Sequence, residues 1–226
     1  MARPSKPLIS RRGAAEAALA VIDEVGLEKL SLSQVAQRLG VRSPSLYYHF
    51  RDKDALLEEV ARLLLLEIRV HLQGQASAEE WIVSLCVSAR RTLLAHPNAA
   101  PLMLRFFPRK LLLRAYDRWT KTYDYPPEAH MAVIEGTEKL TFGSALFAAA
   151  AAVRGEAPMP PIDAHEYPQL GKALESNPFD EEQLFIETLR MFLAGVRARI
   201  EQGSLGRPLS HAGGSTTAQA RDRRSA

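Results

Sequence analysis

The chain has 226 residues, 46% hydrophobic and 24% charged, enough for one large or two modest domains with a substantial core. Its net charge of +3 is too mild to argue by itself for a nucleic-acid partner, and its single cysteine, Cys86, excludes an internal disulfide or a Cys-based zinc site. No secretory apolar region follows the start and no apolar run is long enough to span a bilayer, so the expectation is a protein of the reducing cytoplasm without a membrane partner. Charge distribution says more than total charge. Residues 1–12 hold Arg3, Lys6, Arg11 and Arg12 with no acid, which reads as a basic arm or as a solubilising terminus.

Strand signals are nearly absent and a 3.6-residue period runs almost throughout. Ala15, Ala18, Leu19, Ile22 and Val25 mark one face of a first helix, stopped by Gly26. Ser31 and Gln34 have capping-box spacing, and Leu32, Val35, Ala36 and Leu39 follow as an apolar stripe closed by Gly40. Ser43-Pro44 then reads as an N-cap serine with proline at the first helical position of a third helix, anchored inward by Leu46 and Phe50. Asp52 caps a long fourth helix expected to run to about Leu72. Its stretch Leu63 to Leu66 is apolar all round, as in a helix buried between two parts of a protein.

After a break at Gly74 to Ser77, helices are expected at about 78–95, 99–106, 109–123 and 128–153, punctuated by Pro97, Pro108, Pro126 and Pro127. Residues 155–163 read as a mobile loop, followed by a short helix near 165–175. The last long helix, roughly 180–202, carries a stripe of Phe185, Leu189, Phe192, Leu193, Val196 and Ile200. The Gly/Ser/Ala/Arg-rich remainder, 203–226, has no periodicity and reads as a disordered tail.

The informative stretch is SLSQVAQRLGVRSPSLYYHFRDK, Ser31 to Lys53. Two short helices across a tight Gly-containing turn make a helix-turn-helix, whose second helix lies in the major groove when the motif reads DNA. With Leu46 and Phe50 inward, Ser43, Ser45, Tyr47, Tyr48 and His49 face outward. They offer hydroxyls to bases and phosphates, and apolar edges to thymine methyls. Lys53, at the start of the fourth helix, can join the free N–H groups there in holding a phosphate. An ordinary helical hairpin with surface aromatics is the other reading these residues allow.

The stretch AALAVIDEVGLEKLSLSQVAQRLGVRSPSLYYHFRDKDALLEEV resembles the DNA-binding region of the TetR family of transcriptional repressors. The matching positions are Gly26, Leu30, Val35-Ala36, Leu39-Gly40-Val41, Leu46 to Phe50, Lys53 and Leu56-Leu57, without gaps. The remainder is similar to the tetracycline-repressor branch through Leu93-Leu94-Ala95-His96, the stretch ending at Pro108, the loop after 154 and FIETLRMFLAGVRARIE. The resemblance implies an all-α fold with a helix-turn-helix domain at 13–52 and a helical regulatory and dimerisation domain at 53–202. Helices near 128–153 and 180–202 would pair across a homodimer, with Gly143 and Ala148 to Ala152 allowing close approach.

It also implies roles. Ser43, Pro44, Ser45, Tyr47 and Tyr48 would read bases of a double-stranded operator, with Arg42 beside them. Ser33, His49 and Lys53 would act mainly on the backbone. Met103 stands where tetracycline-binding members place the histidine that holds the drug's magnesium chelate, and Phe107, Leu85 and Arg69 replace other polar contacts. Tetracycline and a magnesium requirement are therefore disfavoured. An apolar small-molecule effector is expected between the fourth helix and the helices near 82–90, 99–119 and 138–147. Its pocket would include Leu66, Arg69, Leu85, Cys86, Ala89, Met103, Phe106, Phe107, Trp119 and Phe142.

Nothing points to an enzyme or a cofactor. The six histidines lack metal-ligand spacing, and no phosphate loop or nucleophile elbow is present. His96 before Pro97 reads as a helix C-cap donor, and Trp81 and Trp119 as core or pocket wall. The reading is a ligand-released repressor. The rivals are a helical small-molecule-binding protein or enzyme whose head does not read DNA, and a DNA-binding activator.

Overall fold

The computed structural model describes residues 9–70, 77–157 and 159–207. Arg3, Lys6, His71 and residues 208–226 lie outside them; residues 203–207, expected to begin the disordered tail, are instead held to the last helix, with Ser204 buried and its N–H donating to the Arg199 carbonyl at 2.9 Å. Within the described residues the chain is all helical, with ten helices: α1 Arg11–Val25, α2 Leu32–Arg38, α3 Ser43–Tyr47, α4 Lys53–Glu67, α5 Ala78–Ala95, α6 Leu102–Arg105, α7 Arg109–Thr122, α8 Pro127–Arg154, α9 Pro168–Glu175 and α10 Glu181–Glu201.

Side chains written into the sequence set most of the helix starts. The Ser10 hydroxyl accepts from the Gly13 N–H, and the Asp52 carboxylate from that of Ala55 at 2.7 Å. Reciprocal capping boxes open α2 (Ser31 and Gln34), α5 (Ser77 and Glu80) and α10 (Asp180 and Gln183). The turn between α2 and α3 needs Gly40, whose φ of 68° an L side chain rarely adopts.

The boundaries of three expected helices move. The residue preceding α3 is Arg42, with no side-chain cap, so Ser43 is the first helical residue and its hydroxyl is not used for capping. α4 stops at Glu67, where Ile68 turns extended, short of the expected Leu72. α6 likewise shrinks to Leu102–Arg105, because the proline at 101 restricts the residue before it and the proline at 108 closes the stretch.

Packing makes two apolar clusters. The first joins α1, α2 and α3 to α4, the end of α5, α6 and the far end of α8; Ile22, Leu46, Phe50, Leu56 and Leu64 are all but fully buried in it. α1 lies along α4 through small residues (Ala14, Ala15 and Ala18), which brings the two backbones close. The second joins the start of α5 to α8 and α10 through Ile82, Val133, Phe185, Leu189 and Leu193.

At the α8–α10 seam, a Cβ on Gly136 would come within 2.2 Å of the Phe192 ring, so only glycine admits that ring. Gly143, by contrast, faces open space, and Ala148, Ala149 and Ala151 are buried within the chain itself. Arg90 of α5 is buried between these helices, donating to Ser144 Oγ at 3.0 Å and to Glu181, with the Phe185 ring beneath it.

Candidate nucleic-acid interface and the cavity behind it

α3 is only five residues long and keeps its place through two anchors. Leu46 and Phe50, four residues apart, are buried against α1 and α4. With those inward, Pro44, Ser45, Tyr47 and Tyr48 are exposed and Ser43 and His49 half-exposed; Tyr48 is 88% accessible and meets the His49 ring edge-on at 5.3 Å. Arg42 is exposed just before the helix, and Lys53 opens α4 beside the Asp52 cap. Ser33 lies on the exposed face of α2, its hydroxyl 3.0 Å from that of Ser31. All nine positions expected to meet DNA lie on α2, on α3 and the residues flanking it, or at the first residue of α4, and none of them is buried.

Arg11 and Arg12 are not part of a free arm. Arg11 is the first residue of α1, where its guanidinium donates to the His49 carbonyl, stacks 4.5 Å over Phe50 and approaches Glu59 at 3.4 Å. It fixes the end of α3 against α1 and α4, holding the outward edge from behind. Arg12 pairs with Glu16 one turn on at 2.8 Å, the ordinary geometry of an exposed i,i+4 ion pair.

Behind this unit lies a cavity of about 540 Å³, bounded by Leu65 and Ile68 of and after α4, Trp81 to Ala89 of α5, Phe107, α7 from Leu112 to Tyr123, and Ile134 to Phe142 of α8. Such a volume suits a drug-sized molecule. Of the residues assigned from sequence to a ligand pocket, Leu85, Cys86, Ala89, Phe107, Trp119 and Phe142 line it.

Four expected lining residues do not. Leu66 points away from the wall that Leu65 forms, one helical step earlier, and is exposed. Arg69 folds back on the α4 end, donating to the Leu66 and Ile68 carbonyls, while its backbone pairs with the Ser88 hydroxyl. Met103 is buried in the first cluster, because the short α6 turns it toward α4. Phe106, at the α6 end, is half-buried on the same cluster beneath the Arg105 guanidinium.

Sequence reasoning missed the polar part of the wall. Glu138 of α8 accepts from the Tyr116 hydroxyl through one oxygen and from Arg109 at 2.8 Å through the other, tying α7 to α8. Burial and this carboxylate push the Tyr116 phenol well above its ordinary range. Thr137 and Thr141 follow one turn apart. The available signal was periodicity: Tyr116, Trp119 and Tyr123 share one face of α7, and Ile134, Glu138 and Thr141 one face of α8. Burial raises the Cys86 thiol to about 11, partly offset by the Thr141 hydroxyl, so it is neutral at pH 7.

His96 follows α5, as expected, but its ring does not serve the last carbonyls. Nδ1–H donates to Asp23 of α1 at 2.7 Å, and Asn98 donates to the Asp23 carbonyl at 3.0 Å. Arg105 of α6 reaches Asp54 of α4 at 2.7 Å. Polar contacts therefore clasp the N-terminal unit to the α5–α6 corner. Among the described residues no grouping of His, Cys, Asp and Glu has the geometry to hold a metal, and no helix is long and apolar enough to cross a membrane.

Residues 15–60 match the family described as bacterial regulatory proteins, tetR family. The tetracycline repressor protein class A from transposon 1721 of Escherichia coli is 39% identical over 87 residues, which cover 37% of this chain and 40% of that protein. The chain thus spans about two fifths of that relative. The class D tetracycline repressor of Escherichia coli is 28% identical over 207 residues, covering 85% and 91% of the two chains. Among solved structures, apo ActR from Streptomyces coelicolor superposes with a TM-score of 0.69 at 22% identity, covering 88% of this chain and 99% of that one. The same protein has been solved in complex with actinorhodin (TM-score 0.66, 21% identity, 88% and 99% coverage).

Proposed function

The chain belongs to the TetR family of bacterial transcriptional regulators, and from that premise we propose that it is a repressor which binds a palindromic operator as a homodimer and is released by a small, largely apolar effector. One observation carries this reading: the helix that completes the core behind the outward edge of α3 also walls the cavity. Leu56, Leu57 and Leu64 of α4 pack in the first cluster, and Leu65 and Ile68 border the cavity.

Support for the partner comes from what the single chain leaves uncovered. Met131, Phe147 and Val153 on α8, and Leu184 and Met191 on α10, are large apolar side chains exposed to solvent, more than a monomer ordinarily leaves on two adjacent helices. A two-fold axis through these helices sets two copies of α3 side by side, the arrangement that meets major grooves about one DNA turn (~34 Å) apart. ActR, solved in complex with actinorhodin, is a precedent for ligand binding on this fold. By the resemblance, Met103 stands where tetracycline-binding members place the histidine that holds the magnesium chelate, and the cavity wall carries Phe107 in place of a polar contact, which supports a ligand without a metal.

Selection of random duplex DNA by the purified protein at two salt concentrations tests the proposal. An enriched palindrome whose half-sites lie about one turn apart is the expected result, with affinity falling as salt rises through phosphate contacts such as those of Arg42 and Lys53. Weak binding without enrichment, lost in salt, would remove the repressor reading and leave a helical ligand-binding protein.

A further inference from the structure

The polar groups on the cavity wall are unequal. Glu138 has both oxygens engaged, by Tyr116 and Arg109. Thr137 donates to the carbonyls of Val133 and Ile134 at 2.7 and 3.0 Å, the back-bonding a threonine usually makes inside a helix. Thr122, at the end of α7, does the same to Arg118. Thr141, one turn after Thr137 on the same helix, does not. It is 2% exposed, it lines the cavity, and its Oγ1 has no hydrogen-bond partner; the neighbouring Cys86 thiol offers at most a weak one. A buried hydroxyl left in that condition is costly, and a turn about χ1 that brings Oγ1 to the cavity face, where an entering molecule satisfies it, relieves the cost.

The walls around it restrict the shape of what can enter. Trp81, Phe107, Tyr116, Trp119, Tyr123 and Phe142 contribute six aromatic rings. Trp119 meets Tyr123 edge-on at 5.0 Å, Trp81 is tilted 40° to Tyr123, and Phe107 meets Phe142 edge-on at 4.9 Å. Rings so disposed offer faces and edges to another flat ring, a geometry that a flexible alkyl chain does not exploit.

Resting on the effector-binding reading above, we propose that the cavity selects a planar aromatic molecule bearing a hydroxyl or carbonyl oxygen, and that Thr141 is the residue that reads this oxygen. Specificity follows from asymmetry: a flat hydrocarbon of the same size leaves Thr141 unpaired, whereas the oxygenated analogue satisfies it.

The test uses the whole protein and N-phenyl-1-naphthylamine, which fluoresces on entering an apolar cavity, as the displaced reporter. Competitors are 2-naphthol, naphthalene and 1-decanol. Wild type is expected to prefer 2-naphthol to naphthalene by about 5- to 20-fold, and to 1-decanol by at least as much. Thr141→Val should bring the naphthol-to-naphthalene ratio close to one while still taking up the reporter; Thr141→Ser should keep the preference. A ratio unchanged by Thr141→Val, or no preference in wild type, overturns the role of Thr141. Equal displacement by 1-decanol overturns the planar requirement. Failure of folded wild type to take up the reporter or any competitor removes the effector-cavity reading itself, a different outcome from binding without discrimination.

Discussion

If α3 reads DNA with its outward edge and holds its place with its inward one, the two edges must separate under mutation. Tyr47 is 56% and Tyr48 88% exposed, so Tyr47→Ala with Tyr48→Ala removes little packing, within about 0.5 kcal/mol per exposed site. For a chain of this length that shifts the melting temperature by only about 1–4 °C. Operator binding should respond otherwise. Losing one base-reading contact costs about 1–3 kcal/mol, and a homodimer loses it at both half-sites, so affinity should fall at least about 30-fold. Leu46→Ala is the mirror image. Leu46 is fully buried, and truncation there costs about 2–5 kcal/mol, lowering the melting temperature by roughly 5 °C or more. Fluorescence anisotropy on the selected operator, beside thermal melts of both variants, reads the two effects separately. The tyrosine pair should leave the salt slope nearly intact, because the backbone contacts expected of Ser33, His49 and Lys53 are untouched. A double tyrosine variant that melts like Leu46→Ala, or that binds operator within threefold of wild type, would refute the assignment of the two edges.

Three further outcomes follow from the packing and electrostatics. Gly136→Val forces a Cβ into the Phe192 ring and should destabilise by about 1–3 kcal/mol. Adding Phe192→Ala should cost less than the sum of the two single changes in a denaturation cycle, and strict additivity would contradict the close approach. The Glu182 carboxylate is held below its ordinary 4.5 by its hydrogen bonds from Arg91, so its contribution is complete above that pH and is lost as pH falls through the lowered value. Both side chains are substantially exposed, which limits the effect to under about 1 kcal/mol. Glu182→Gln should lower stability at neutral pH and flatten the acid limb, and an unchanged limb would count against the pair. Cys86, the only cysteine, is buried and neutral at pH 7, so a thiol reagent should label the native protein far more slowly than the denatured chain. Ligand in the cavity should slow it further, and fast native labelling would contradict the burial.

Local chemistry was readable in the sequence wherever it was strong. Ser31 with Gln34, Asp52 before α4 and the Leu46/Phe50 spacing each act within one helical turn, and each appears in the structure as expected. What escaped depends on residues far apart in the chain. Arg11 reads as one more cation of a basic arm until Glu59, 48 residues away, and the His49 carbonyl come to meet it. Four consecutive leucines, 63–66, carry no period, so nothing local says that Leu65 borders the cavity while Leu66 faces solvent. Met103 fell to the same difficulty, since prolines rather than a periodic face orient α6. Glu138 lies in the polar run Glu135 to Lys139 of α8 and Thr141 just beyond it, where sequence alone reads a solvated face. Their meaning appears only when α7 brings Tyr116 and Trp119 opposite them.

The same geometry sets what a ligand must do to matter at the DNA. α4 is shared: Val60, Ala61 and Leu64 are buried with α1, and Leu65 and Ile68 border the cavity one and four residues further on. Alanine-lined contact between α1 and α4 leaves little soft packing to absorb a shift of α4, so displacement at the cavity end passes to α1 and to the α3 edge it supports. Two clasps resist that movement: His96 with Asn98 on Asp23, and Arg105 on Asp54. Both hold the N-terminal unit to the α5–α6 corner rather than to α4's cavity end, so an effector must work against them. Loosening them should make the unit easier to move and lower the ligand concentration needed for release. Asp23→Asn weakens one clasp, since the Nδ1–H of His96 then meets a neutral acceptor, and Arg105→Ala removes the other. In both variants operator release should begin at lower ligand concentration. Because coupling is a single free energy, operator DNA must weaken ligand binding by the factor with which ligand weakens operator binding, in wild type and variants alike. A variant in which one factor changed and the other did not would show that ligand and operator do not compete through this shared helix.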